Sequence, residues 1–307
     1  MSAYLWILCG GAVLAACVYC LMNRGDRGVY VRAALTLVLS VVFGLLCGKA
    51  FYAVTQIRKV ISSGTSEVLF TLSPLWFSFY GAAMGACFGA VLAGKLTGIK
   101  PMAALNRFAP AGILMAAVAR FGEYVLSEEY AYGLGRYFDI ETQPALCVFP
   151  ISAVNAYGEY YLAVFMLEGL CCLGVFVLSA FVFHRARFMR SLFYFCLPQI
   201  LCESLRTSSF VWHEFVKVEQ LLCMVVMEII LLLYALRTPK DRKLRFLPPI
   251  LGLVAAGIFV AVEFALDKSD LPHLLTYAIM ILGQGLLAYA EIRGFKKSDF
   301  AAVRKEV

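Results

Sequence analysis

The stretch APAGILMAAVARFGEYVLSEEYAYG, Ala109 to Gly133, changes character at its midpoint. Its first eleven residues carry no charge. Arg120 then arrives with Glu123 three positions later, and Glu128, Glu129, Tyr124, Tyr130 and Tyr132 follow. An apolar run of this kind reads as a membrane helix, since crossing a hydrocarbon core about 30 Å thick takes roughly 20 apolar residues. The arginine and the carboxylate stand where that helix ends.

The rest of the chain repeats the pattern. Hydrophobic residues make up 62% and charged residues 15% of 307 residues, against about 45–50% and about 25% in soluble domains. This composition excludes a soluble globular domain. Nine spans are expected, at 3–22, 33–56, 74–94, 102–119, 158–183, 190–206, 217–236, 246–266 and 271–290, the sixth being short and polar. Between the fourth and fifth lies a polar, acidic, tyrosine-rich segment. Nineteen of the 27 Lys and Arg residues fall in alternate loops on one side, including Arg24, Arg107, Arg185, Arg237, Lys240, Arg242, Lys243, Arg304 and Lys305. Seven fall on the other: Arg58, Lys59, Arg120, Arg136, Arg206, Lys217 and Lys268. Positive charge stays in the cytoplasm, so the amino terminus is expected outside, the carboxyl terminus inside, and the 123–157 segment outside as an extracytoplasmic head. The net charge of +7 is then a topological signal. It needs no nucleic acid to explain it, though it also favours anionic membrane lipids on the inner leaflet.

GGAVLAAC, ending at Cys17, has the look of a lipoprotein signal, but no charge precedes Arg24. A signal peptide wants a basic region before its apolar core, so an uncleaved first span is expected. Ten of the eleven cysteines lie in expected spans, which suits packing better than a redox or metal site. His184, His213 and His273 are scattered. No metal or cofactor is expected.

Several positions inside the spans carry candidate chemistry. Gly81, Gly85 and Gly89 recur every four residues on one face, with Tyr80 just above them. Such a face admits either a neighbouring helix or a lipid chain. Gln199, Glu203 and Arg206 stack at i, i+4 and i+7 in the sixth span, beside Pro198. Charge inside a span is costly and faces a protein interior or a wet cavity. A structural i, i+3 pair of Glu203 with Arg206 is the plain alternative. Glu168, Glu219, Gln220, Glu228 and Glu263 are further intramembrane polar groups, and Lys49 either snorkels or pairs with an acid. Arg120 and Arg206 both lie near the outer ends of their spans. Two guanidiniums at one membrane level suit a lipid phosphate held by bidentate hydrogen bonds. The alternative is a set of salt bridges that anchor helix ends.

With these pieces in order, the chain resembles the prolipoprotein diacylglyceryl transferases of bacterial inner membranes over about residues 1–237. WFSFYGAAMGACFGAVLAGKLTGIKP is similar to the family's glycine-rich helix after a Trp-x-Ser/Gly-Phe-His-Gly-Gly pattern. LNRFAPAGILMAAVARFGEYVLSEEYAYG is similar to its Leu-x-Ala-Pro helix leading to Arg-x-Gly-Asn-x-x-Asn-x-Glu. FMLEGLCCLGVF resembles its Leu-Leu-Glu-Gly helix, and LCESLR with VEQLL resembles its Glu-x-x-Arg followed by Gly-Gln. The resemblance implies an all-α polytopic membrane protein: a seven-span helical body with a small extracytoplasmic head, and two added spans with a basic tail over 238–307. It implies that Arg120, Gly122, Glu128, Glu168, Glu203 and Arg206 surround phosphatidylglycerol. The diacylglyceryl group would pass to the lipobox cysteine thiol on a prolipoprotein signal peptide, and glycerol phosphate would leave.

Departures accompany the matches. The family's histidine falls on Tyr80, its signature asparagines on Glu123 and Leu126, and an arginine on Gln199. Its His-Pro-Ser-Gln-x-Tyr-Glu run is replaced by GEYYLAV. Tyrosine, with a pKa of about 10, is a poorer base at neutral pH than histidine at about 6.5. Losing a positioned base forfeits roughly 10²–10⁴ in rate. Glu123, or Tyr80 if polarised, is the candidate acceptor of the thiol proton, with Glu203 beside them as a catalytic candidate. Two functions therefore stand: a divergent diacylglyceryl transferase, or a non-catalytic homologue that binds phospholipid or a membrane partner. A transporter would show duplicated halves or paired broken helices, and the chain shows neither.

Overall fold

The computed structural model describes residues 3–62, 71, 73–207, 211–213, 216–239, 244–269 and 271–301. The charges Lys240, Arg242, Lys243, Arg304 and Lys305, and the tail beyond 301, lie outside the described residues, as do the side chains of Arg58 and Lys59. The chain divides into two compact units, residues 1–180 and 181–307.

The first unit is built on α1 (Ala3–Met22), α2 (Val29–Thr55), the short α3 (Ile57–Ser62), α4 (Phe79–Leu96), α5 (Pro101–Gly122), α6 (Tyr124–Tyr130) and α7 (Val164–Val177). Asn23 closes α1 by donating from Nδ2 to Tyr19 O at 2.8 Å. Gly28, at φ 79°, turns the chain into α2. Asp26 in this turn bridges Arg32 and Arg107, and so ties the start of α2 to α5.

α4 starts at Phe79 because Ser78 caps it, its hydroxyl accepting from Gly81 N at 3.2 Å. The preceding Pro74–Trp76 is a single 3₁₀ turn, so the span begins five residues later than expected. The glycine face of α4 packs on α2. A Cβ at Gly81 would lie 2.7 Å from Cys47 O, at Gly85 2.1 Å from Phe43 O, and at Gly89 2.6 Å from Leu39 O. Helix packing thus takes the face that the sequence also left open to a lipid chain. Two hydrogen bonds lie along the seam, Ser40 Oγ to Ala86 O at 2.9 Å and Ser78 N to Gly48 O at 3.1 Å.

The expected fifth span at 158–183 is shorter by its first six residues. Tyr160–Ala163 is a strand, β3, and the helix begins at Val164. β3 is the centre of an antiparallel sheet with β1 (Leu134–Phe138) and β2 (Ser152–Val154), in the order β1-β3-β2. Tyr137 pairs with Tyr161 and Ser152 with Leu162. Tyr137, Tyr160 and Tyr161 suit a pleated surface, which lets the sheet capture residues that read as apolar span. α7 then runs to Val177 and continues as one π-helical turn, Leu178–Val182.

The second unit holds α8 (Arg187–Leu205), the hairpin β4 (Val211–His213) and β5 (Val216–Lys217), then α9 (Val218–Leu236), α10 (Leu247–Lys268) and α11 (His273–Lys297). Among the described residues, eight helices are long and apolar enough to cross a membrane. The expected sixth span, now α8, is not among them. It carries Arg187, Arg190, Gln199 and Glu203 in 19 residues, and α9 and α11 pack against it. Polar groups are tolerated where protein rather than lipid surrounds the helix. Large apolar side chains such as Leu46, Leu253 and Leu282 are exposed on the outer faces of the other helices, as a lipid-facing surface requires. The molecule is an all-α polytopic membrane protein with a small β element in its head.

Candidate functional site

Arg120 lies in the last turn of α5 with a fully buried side chain, 1% exposed. Its Nη1 donates to Glu123 Oε1 at 2.7 Å, and its Nε lies 2.9 Å from Glu168 Oε2. The Phe79 ring sits against the guanidinium, 3.9 Å from ring centroid to Cζ. Each partner is delivered by a different local device. Glu123 follows α5 directly, at the junction with α6. Glu168 comes from the second turn of α7, which β3 feeds into place. Phe79 is the first residue of α4. A guanidinium so far from water is held only because carboxylates and a π-face replace its hydration. With both carboxylates ionised, the cluster carries one net negative charge.

Glycines make the convergence possible. Gly133, at φ +74°, brings backbone against Glu123, and a Cβ there would lie 2.7 Å from Oε2. Gly169 on α7 receives the Phe121 ring, where a Cβ would lie 2.5 Å from Cε1. Gly122 packs on α1, with Ile7 and Tyr4 at 3.0 and 3.1 Å from its Cβ position. Its visible part is to let α1 and α5 approach. Tyr80 is buried beside Phe79, the two rings edge to face at 5.6 Å. Glu128 is exposed on α6, outside this cluster.

In the second unit, Gln199 and Glu203 are buried on α8, and Arg206 is buried as its C-cap. The end of α8 is held by Lys217, whose Nζ donates to Glu203 O at 2.5 Å and to Ser204 O and Arg206 O at 3.3 Å each. Gln220 donates to Ile200 O at 2.9 Å and to Glu263 Oε1 at 2.7 Å. Glu219 is buried at the start of α9, and Glu228 presses its carboxylate on Gly252 of α10. Lys49, in the first unit, donates to Thr71 O at 2.6 Å and lies 4.7 Å from the Phe77 ring centroid. Among the described residues, no three His, Cys, Asp or Glu side chains are grouped to hold a metal.

The structure therefore brings Arg120, Glu123 and Glu168 together, and sets Gln199, Glu203 and Arg206 on one helix end. The roles of Phe79 and Gly133 escaped the sequence reading, because nothing in spacing aims a ring at an arginine 41 positions away. Glu291 escaped too. It accepts from Arg190 Nε at 3.0 Å and from the Tyr194 hydroxyl at 3.0 Å. The expected ninth span ends at 290, one residue before it, and the basic residues that follow make it read as the start of a polar tail.

A multi-helix membrane body with a buried arginine–carboxylate cluster at a helix end defines an integral membrane protein with a polar centre. The chain belongs to the prolipoprotein diacylglyceryl transferase family, whose model matches residues 3–236. It is a multi-pass membrane protein of a transferase family, and α10 and α11 lie beyond the matched residues. The phosphatidylglycerol–prolipoprotein diacylglyceryl transferase of Bacillus licheniformis is 24% identical over 245 residues, covering 76% of this chain and 87% of that protein. Its counterpart in Staphylococcus aureus is 22% identical over 224 residues, covering 71% and 76%.

Proposed function

We propose that the protein transfers a diacylglyceryl group from phosphatidylglycerol to the lipobox cysteine thiol of prolipoprotein signal peptides at the outer face of a bacterial cytoplasmic membrane. Family membership and the names of the relatives support the donor and acceptor. The observation that carries the reading is the buried cluster of Arg120, Glu123 and Glu168, one guanidinium with two carboxylates placed where α5 meets the head.

In this reading the cysteine S–H bond breaks and its proton passes to Glu123. The thiolate attacks the diacylglycerol carbon that bears the phosphate. A C–S bond forms, the C–O bond breaks, and glycerol phosphate leaves with the electron pair. Protonation of Glu123 removes the cluster's excess negative charge at the moment the leaving group gains one, so Arg120 then meets the departing phosphate in a neutral setting. Aimed charge of this kind stabilises a transition state most when water is excluded. The cysteine is already about a few per cent thiolate at neutral pH, so the reaction asks less of a base than an alcohol acceptor would. Tyr80 stands where the family resemblance implies histidine and is proposed as a secondary proton acceptor. Glu168 holds Arg120. In the second unit, Gln199, Glu203 and Arg206 are proposed donor-lipid contacts. Gly122 and Glu128 keep the lipid-binding assignment that the resemblance implies. The amino terminus is proposed outside and the carboxyl terminus cytoplasmic, which follows the Lys and Arg bias.

Complementation tests the reading. Depleting the host's own transferase while expressing this chain restores diacylglyceryl modification of lipoproteins. Well-expressed protein that gives no rescue, with purified protein that binds phosphatidylglycerol but labels no lipobox peptide, would overturn transfer and leave a lipid-binding homologue.

A further inference from the structure

Backbone carbonyls along α8 are met by side chains from three other elements. Leu197 O accepts from Gln284 Nε2 of α11 at 3.0 Å. Ile200 O accepts from Gln220 Nε2 of α9 at 2.9 Å, and the same amide donates to Glu263 Oε1 of α10 at 2.7 Å. Lys217 Nζ donates to Glu203 O at 2.5 Å and to Ser204 O and Arg206 O at 3.3 Å each. Residues 197, 200 and 204 share one stripe of the helix. At about 100° per residue, Gln199, Glu203 and Arg206 occupy another.

α8 has a physical need for such support. Pro198 lies inside it, and an interior proline removes one helical hydrogen bond and presses on the preceding turn. Near the start of the helix, Arg190 is held by Glu291 of α11 at 3.0 Å and stacks against Phe183 and Phe295 at 4.2 and 4.5 Å. The helix is thus gripped at its start, middle and end. α11, which grips α8 directly, and α10, which holds Gln220, lie beyond the family-matched residues.

We propose that Glu263 and Gln284 are positioning residues: they fix the rotation and depth of α8, and through it aim Gln199, Glu203 and Arg206. Gln284 acts directly on Leu197 O. Glu263 acts through Gln220, by taking one amide N–H so that the other is directed at Ile200 O. This deepens the proposed function, which makes α8 a carrier of donor-lipid contacts. It also gives the added helices a purpose, the support of a polar helix from its far side.

The test uses the full chain in detergent with phosphatidylglycerol and compares Gln284→Leu, Glu263→Leu and Glu263→Gln. Cys196 and Cys202 are buried on α8 and report its orientation. Their labelling by a maleimide, resolved by peptide mass spectrometry, is expected to rise about tenfold in both leucine variants, as loss of one buried hydrogen bond allows. Buried Cys172 of the first unit serves as reference and stays unlabelled. Glu263→Gln keeps an acceptor oxygen for Gln220 and is expected to label as the wild type does. In turnover, the leucine variants raise KM for phosphatidylglycerol and leave kcat near its original value. Unchanged labelling of Cys196 and Cys202 overturns the proposal. So does a parallel rise at Cys172, which signals general loosening, and so does Glu263→Gln behaving like Glu263→Leu. Faster α8 labelling in a protein whose wild type neither binds nor turns over phosphatidylglycerol leaves the positioning intact and removes the donor-lipid reading instead.

Discussion

Replacing Arg120 with leucine separates what the buried cluster does for the fold from what it does for chemistry. The change removes the contacts at 2.7 and 2.9 Å to Glu123 and Glu168, whose side chains are 2% and 0% exposed. Two carboxylates then lie in the same interior without that guanidinium. Removing one partner of a buried pair costs about 3–5 kcal/mol. In a chain of this size that lowers the melting temperature by roughly 6–20 °C, read by intrinsic fluorescence in detergent. The informative comparison adds Glu123→Gln and Glu168→Gln to Arg120→Leu. No charge then remains in the cluster, and neutral replacement of a whole buried ion cluster is generally near neutral or stabilising by about 1–4 kcal/mol. The triple variant is therefore expected to regain most of the lost melting temperature while remaining inactive in lipobox labelling. A single Arg120→Leu variant that melts with the wild type would refute the reasoning. A triple variant no more stable than the single one would refute it equally, because the loss would then come from packing rather than charge.

Gly85→Val forces a side chain into Phe43 O, 2.1 Å from the Cβ position. Overpacking costs typically about 1–3 kcal/mol, so a clear drop in melting temperature is expected, whereas Gly257→Ala, inside α10 with nothing within 4 Å of its Cβ position, causes no drop and raises it slightly, alanine being the better helix former by about 0.8–1.0 kcal/mol. Tyr80→His installs a group of pKa about 6.5 where a base is proposed, and lipobox labelling at pH 7 is expected to rise within the roughly 10²–10⁴ range of a general base; no increase removes Tyr80 from proton transfer. Tyr161 in the head donates to Glu159 Oε2 at 3.0 Å. This bond and the carboxylate's charge raise the phenol above its ordinary value. Its proton is held more tightly in the folded protein, so the bond's contribution to stability is present below about pH 10 and is lost as pH rises through the raised value. Ultraviolet titration shows Tyr161 ionising late, and Glu159→Gln moves it back.

Much of the helical frame was legible because hydropathy alone dictates it: a run of 20 apolar residues such as Ala3–Met22 has no other stable state in a bilayer. Boundaries failed where a second rule competed. Tyr160 to Ala163 is apolar enough to extend a span, yet strand pairing with Tyr137 and Ser152 claims it. Arg120 and Glu123 could be paired from i, i+3 spacing, but Glu168, 45 positions on, is brought in only by the tertiary fold. α8 is the converse case. Its polarity reads as a weak span, and its meaning emerges only with Gln220, Gln284 and Glu291 around it.

Glycines spaced every four residues have a consequence for how α2 and α4 stay aligned. A slide of one helical turn, about 5.4 Å, would carry two of the three glycines into the place of the next and bring Ala93 or Phe77 to the third, so the small-residue surface only partly separates the two alignments. The choice between them falls to the bonds from Ser40 to Ala86 and from Ser78 to Gly48. Closeness is written in the glycines, and phase in one serine hydroxyl and one backbone amide.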